Sequence, residues 1–244
     1  MEIVKPTPIL ALDVASTDNA MALVAELGET CRFYKVGGEL FTAAGPDIVH
    51  RVRASGADVF LDLKYHDIPN TVRGAVRSAA ALGVRLVTIH AVGGEAMIRA
   101  AVEGAADSSR CSVLAVTVLT SLGEGEAASL WGRGEGFRTE DEVLRLASIA
   151  AQAGAAGVVC SGKEARAVKG RFGERLSVLI PGIRLAATPT QDQARIVTPT
   201  EAAATGAEYV VVGRAVTAAP DRRRAMRELV EQLSGRRADT GSLA

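Results

Sequence analysis

Apolar and polar positions alternate between two periods along the whole chain. Short runs dominated by Val, Ile, Leu and Phe occupy residues 8–14, 33–36, 59–63, 86–90, 113–119, 157–160, 177–180 and 209–212, the composition of strands buried on both faces. Between them, residues 18–27, 40–54, 71–82, 94–105, 139–153, 163–172, 199–205 and 220–233 are richer in Ala and carry their apolar residues at helical spacing. Boundary residues agree in places. Thr139 followed by Glu142 fits a capping box, and Pro199 and Pro220 suit first helical turns.

Strict alternation of strand and helix predicts a parallel sheet, because a parallel neighbour needs a crossover long enough to hold a helix. Eight such units in 244 residues fit an α/β fold of the (β/α)8 TIM barrel class. An open doubly wound sheet fits less well, since Asp13-Val14-Ala15-Ser16-Thr17 stands where its glycine-rich turn would follow the first strand. One barrel domain is expected over residues 1–235, followed by a polar tail at 236–244 with no apolar period. Two connections exceed what linkage needs: residues 121–137, with five glycines, and residues 184–198.

Composition narrows the classes of function. Lys and Arg total 28 and Asp and Glu total 28, so zero net charge gives no electrostatic case for a nucleic-acid partner. The most apolar stretch, residues 146–160, is interrupted by Gln152 and rich in Ala and Gly, so no membrane span is expected. Met1-Glu2-Ile3-Val4-Lys5-Pro6 lacks the basic start and apolar run of a secretory signal, which predicts a cytoplasmic location. Cys31, Cys111 and Cys160 are far apart in apolar contexts and read as free thiols in a reducing compartment.

The chemistry concentrates in Asp62-Leu63-Lys64-Tyr65-His66-Asp67-Ile68-Pro69-Asn70-Thr71, which sets two carboxylates and an ammonium at the end of an apolar run. On a strand Asp62 and Lys64 share a face, and a carboxylate about 4 Å from a lysine gains roughly 4 kcal/mol at an effective dielectric near 20. A lysine so placed stays charged and becomes a positioned acid. Asp13 and Lys35 also fall at strand ends, giving alternating acids and bases over the first three strands at the rim where such barrels keep their active sites. After the seventh and eighth strands stand Pro181-Gly182-Ile183-Arg184 and Gly213-Arg214, the usual phosphate position. His50, His66 and His90 lack metal-ligand spacing, so no metal is expected. Trp131 reads as a hydrophobic anchor in the glycine-rich connection.

Together with Leu10-Ala11-Leu12-Asp13, Tyr34-Lys35-Val36-Gly37, Val118-Leu119-Thr120-Ser121, Gln193 and Val211-Val212-Gly213-Arg214, this run resembles the orotidine 5′-monophosphate decarboxylase family over almost the whole chain. The resemblance implies cofactor-free decarboxylation of orotidine 5′-monophosphate to uridine 5′-monophosphate, the last step of pyrimidine nucleotide synthesis. It implies that Asp13 and Lys35 hold ribose hydroxyls, that Asp62 sits beside the substrate carboxylate, and that Lys64 protonates the carbon losing carbon dioxide. By the same resemblance Asp67, with Ile68 and Thr71 near it, reaches the neighbouring site of a homodimer. Thr120 or Ser121 contacts the pyrimidine, and Arg184, Gln193, Gly213 and Arg214 bind phosphate.

Two other readings compete. Related barrels that act as 3-keto-L-gulonate 6-phosphate decarboxylase or hexulose-6-phosphate synthase share the Asp-x-Lys-x-x-Asp spacing and use magnesium, with a carboxylate on the second strand. Here Lys35 stands in that place, and a cation repels magnesium. A non-catalytic nucleotide-binding barrel is the third reading; retention of Lys64 and Asp67 argues against it.

Overall fold

The computed structural model describes residues 5–108, 110–184 and 197–235. In chain order its elements are β1 (Thr7–Ala11), α1 (Thr17–Leu27), β2 (Phe33–Gly37), α2 (Gly38–Ala44), α3 (Asp47–Ala54), β3 (Asp58–Tyr65), α4 (Pro69–Ala81), β4 (Leu86–His90), α5 (Gly94–Ala105), β5 (Ser112–Val116), α6 (Glu124–Leu130), α7 (Thr139–Gln152), β6 (Gly157–Val159), α8 (Gly162–Phe172), β7 (Ser177–Ile183), α9 (Pro199–Ala203), β8 (Tyr209–Val212), α10 (Arg214–Thr217) and α11 (Arg222–Leu233). The strands pair in parallel in sequence order, and β1 pairs with β8, closing the barrel.

Alternation along each strand divides the apolar residues into two layers. Ile9 and Ala11 on β1, Phe60 on β3, Leu114 and Val116 on β5, and Val211 on β8 pack inside the barrel. Leu10, Val59, Leu61, Val113, Val210 and Val212 point outward into the larger layer shared with the helices. Both strand faces are therefore buried, which is why the strands read as continuous apolar runs. The inner layer also forms the floor on which the polar rim stands.

Several boundaries differ from the sequence reading. Residues 40–54 form two helices, because Gly45 adopts φ 64°, closes α2 through its N–H to the Phe41 carbonyl at 2.8 Å, and is followed by Pro46. The connection at 121–137 contains α6, and Trp131 ends it, packed on the core with its ring 6.1 Å from that of Phe137. The expected capping box at Thr139 does not form. Arg138 takes the cap position, Thr139 donates its N–H to Glu124 Oε2 at 3.0 Å, and Glu142 pairs with Arg145 instead. Pro199 opens α9 as expected, under a capping box between Thr198 and Glu201, whereas Pro220 precedes the cap Asp221 and lies outside α11. The 236–244 tail and most of the 184–198 connection lie outside the described residues.

Candidate active site

Three consecutive strands place the charged residues. Beyond Ala11 one further rung, Leu12 N–H to the Lys35 carbonyl at 2.9 Å, carries β1 upward so that Asp13 emerges beside Lys35. Lys35 Nζ lies 2.8 Å from Asp13 Oδ1 and 3.8 Å from Asp62 Oδ2, and Lys64 Nζ lies 2.8 Å from the same Asp62 oxygen. Asp62 is thus shared by two ammonium groups. Asp67 Oδ1, on the other carboxylate of the run, accepts the N–H of its neighbour Ile68 at 2.6 Å.

Lys64 owes its position to a break in β3. Leu61 pairs with Val87 but Tyr65 pairs with Ile89, so β3 carries extra residues against β4 and bulges at the Asp62–Lys64 segment. Lys64 takes φ 49°, the only positive value for a non-glycine among the described residues. That left-handed backbone costs a lysine about 1–2 kcal/mol and persists only where surroundings over-determine it. Thr88 of β4, fully buried, does so: Lys64 donates its N–H to Thr88 Oγ1 at 3.0 Å, and that hydroxyl donates to Asp62 Oδ1 at 2.8 Å.

A second bulge shapes the far wall. Ile180 pairs with Val210 and Ile183 with Val212, and the extra length is taken up around Gly182, whose φ of 74° favours glycine. Past this kink Arg184 enters the rim, its N–H on the Val197 carbonyl at 3.3 Å. After β8, Gly213 caps the short α10, which begins with Arg214.

These walls enclose a cavity of about 310 Å³. Asp13, Lys35, Asp62, Lys64, Thr120, Arg184, Gly213 and Arg214 all line it, above the apolar side chains of Phe60, Val116, Val159, Leu179 and Val211. Of Thr120 and Ser121, left open by the sequence, Thr120 is the one at the cavity. Asp67, Ile68 and Thr71 do not line it; they lie exposed at and beyond the end of β3, with Ile68 67% exposed. Gln193 lies outside the described residues.

Sequence reasoning gave no role to Thr88 or, within the Tyr34-Lys35-Val36-Gly37 motif, to Gly37. Thr88 sits within an ordinary apolar strand run and carries no motif. Gly37 sits where an added Cβ would approach Lys35 Nζ to 2.9 Å, so the missing side chain is what leaves the ammonium its place. Beside the site, the His66 and His90 rings stand 5.7 Å apart, and burial, then His66 and then Lys64, hold His90 below the usual imidazole range.

Comparison with known proteins agrees with this geometry. The family model described as orotidine 5′-phosphate decarboxylase / HUMPS family matches residues 6–229. A protein of Halorhodospira halophila named orotidine 5′-phosphate decarboxylase is 50% identical over 217 residues, covering 88% of this chain and 91% of that one. One of the same name from Nitrosococcus oceani is 46% identical over 228 residues, covering 93% and 97%. The crystal structure of orotidine 5′-phosphate decarboxylase from Lactobacillus acidophilus superposes with a TM-score of 0.81 at 35% identity, covering 94% of this chain and 99% of that one. With a closed barrel, a charged rim in the expected order and relatives matched over nearly their full length, this chain belongs to the orotidine 5′-phosphate decarboxylase / HUMPS family.

Proposed function

We infer that Lys64 supplies the proton in the reaction this chain catalyses, the decarboxylation of orotidine 5′-monophosphate to uridine 5′-monophosphate in pyrimidine nucleotide synthesis. The observation that carries the assignment is the Asp13–Lys35–Asp62–Lys64 chain of charges at the rim of an apolar-floored cavity whose other wall bears Gly213 and Arg214. Departure of carbon dioxide leaves an electron pair on a ring carbon. With no cofactor to absorb it, the site must stabilise that charge electrostatically and protonate the carbon at once. An ammonium held 2.8 Å from Asp62 and open to the cavity supplies both the field and the proton.

The remaining roles are those that the family resemblance implies. Asp13 and Lys35 bind ribose hydroxyls, Asp62 faces the departing carboxylate, and Thr120 contacts the pyrimidine. Arg184, Gly213 and Arg214, with Gln193, grip the phosphate; binding there, away from the reacting carbon, contributes to the rate as well as to affinity. The Lys35 ammonium 3.8 Å from Asp62 repels a divalent cation, which favours the cofactor-free route over a magnesium-dependent one. Asp67, with Ile68 and Thr71, serves the cavity of a second subunit in a homodimer, a reading supported by their exposure and by their absence from the cavity of their own chain. Among the described residues no helix is long and apolar enough to cross a membrane. Free Cys31, Cys111 and Cys160 suit the reducing cytoplasm, where we place the chain.

The test follows orotidine 5′-monophosphate absorbance with the purified chain, with and without chelator, beside Lys64→Ala. Turnover that resists chelator and disappears in the variant is expected. Activity lost to chelator, or retained by Lys64→Ala, would overturn the mechanism.

A further inference from the structure

The pyramid of contacts beneath Lys64 rests on a residue that never meets the cavity. Thr88 is fully buried in β4 and absent from the lining, yet its hydroxyl joins the two groups on which the chemistry depends. The Lys64 N–H can only donate, so at 3.0 Å it fixes Thr88 Oγ1 as an acceptor there. The hydroxyl proton is then directed to Asp62 Oδ1 at 2.8 Å, while Asp62 Oδ2 receives Lys64 Nζ. The hydroxyl thereby closes a ring running from the Lys64 backbone through Thr88 and Asp62 to the Lys64 ammonium.

Two features make that ring demanding. The β3 bulge interrupts the regular ladder against β4 at Lys64, and its partly buried N–H, deprived of a ladder carbonyl, takes the Thr88 hydroxyl as partner. The left-handed backbone at Lys64, φ 49°, would relax towards the strand region if its N–H were released, and the side chain would swing with it. A threonine has restricted χ1 freedom, so it presents its hydroxyl from one direction. Its backbone is held in turn by β4–β5 pairing opposite Leu114.

We propose that Thr88 is a positioning residue for the decarboxylation, setting the Asp62 carboxylate and the Lys64 backbone in one register so that the ammonium points at the reacting carbon. The inference rests on the reading of Lys64 as proton donor. It adds that the aim of Lys64 is set from β4, by a side chain outside the charged motif.

The experiment compares Thr88→Val, which keeps the shape and removes the hydroxyl, with Thr88→Ser, which keeps the hydroxyl. Steady-state turnover of orotidine 5′-monophosphate and thermal unfolding are measured for both, with Lys64→Ala in parallel. Misplacement of a reacting group by about an ångström costs about 100-fold, so Thr88→Val is expected to lose between about 10- and 100-fold in kcat, with KM within about twofold of the parent. Thr88→Ser is expected to stay within about threefold in kcat, as the retained hydroxyl bond requires. Should Thr88→Val not fold, Thr88→Ala removes the same hydroxyl without placing a methyl group against Asp62 and is read in the same way.

Parental kcat in the folded Val or Ala variant overturns the proposal. So does a loss in Thr88→Ser equal to that in Thr88→Val, or a loss confined to KM. If Lys64→Ala is inactive while Thr88→Val turns over normally, only the positioning role falls. If Lys64→Ala keeps its turnover, the proton-donor reading falls first and this one with it.

Discussion

Replacing Gly37 by alanine isolates the contribution of one ammonium without touching a charged residue. Gly37 has φ −93° and ψ −180°, extended backbone that alanine adopts without strain, so the change acts through the added Cβ alone. That atom would meet Lys35 Nζ at 2.9 Å, and reaching ordinary contact beyond 3.4 Å displaces the ammonium by about 0.5 Å. If both contacts, to Asp13 and Asp62, lengthen by this full amount from 2.8 and 3.8 Å, their attraction weakens by at most roughly 1.4 kcal/mol at an effective dielectric near 20. The Asp13 side chain is 62% exposed, so solvent screening reduces the figure to roughly 0.5–1 kcal/mol, a two- to fivefold fall in kcat/KM. The assay is a double-mutant cycle with Lys35→Ala, in which both lesions act through one group and the alanine at 37 should add almost nothing. If Gly37→Ala lowers kcat/KM as much in the Lys35→Ala background as in the parent, the effect does not pass through Lys35 and the reasoning fails.

Four further outcomes are expected. Lys64→Gly should be more stable than Lys64→Ala by roughly 0.5–1 kcal/mol in urea unfolding, since relief of the φ 49° backbone exceeds the entropy lost by glycine; the reverse order would refute the left-handed conformation. Arg214→Ala should lower kcat/KM about 100-fold by removing charge-assisted bonds to phosphate, and an unchanged ratio would end that role. Mixing inactive Lys64→Ala with inactive Asp67→Ala should restore about a quarter of parental activity if sites are shared across a two-fold dimer, because mixed dimers then hold one intact site; no recovery after subunit exchange would place Asp67 elsewhere. As pH falls through about 6.5 the unfolded chain binds a proton at position 90 that folded, buried His90 resists, so stability declines with falling pH. His90→Gln should flatten that decline, and an equal shift of the urea midpoint in both proteins would show that His90 is not its source.

How much of this was legible depended on whether a residue announced itself by period or charge. The strands were visible because both faces are buried, and Asp13, Lys35, Asp62 and Lys64 because charge at the end of an apolar run is costly unless used. The break between α2 and α3 was written in Gly45-Pro46 but masked by helical spacing on either side. Thr88 stayed hidden because a threonine in an apolar strand such as Leu86-Val87-Thr88-Ile89 satisfies β propensity whether or not its hydroxyl has a task. The extra residues of β3 were equally hidden, since the apolar pattern records which side chains face the core and not where a ladder slips against its neighbour. The α6 and α10 helices are too short for periodicity to reveal.

The layout of charge around the barrel has a consequence for the way a nucleotide enters. On the arc from β1 to β3, Asp13 and Asp62 lie against Lys35 and Lys64, while Arg184 and Arg214 bring guanidinium groups to the arc formed by β7 and β8. The mouth therefore has two chemically distinct sides, one of paired carboxylates and ammonium groups and one that carries the guanidinium groups. If the guanidinium side takes the phosphate, as proposed, only one orientation of the nucleotide brings its ring to Lys64, and the two sides of the mouth decide which end enters where.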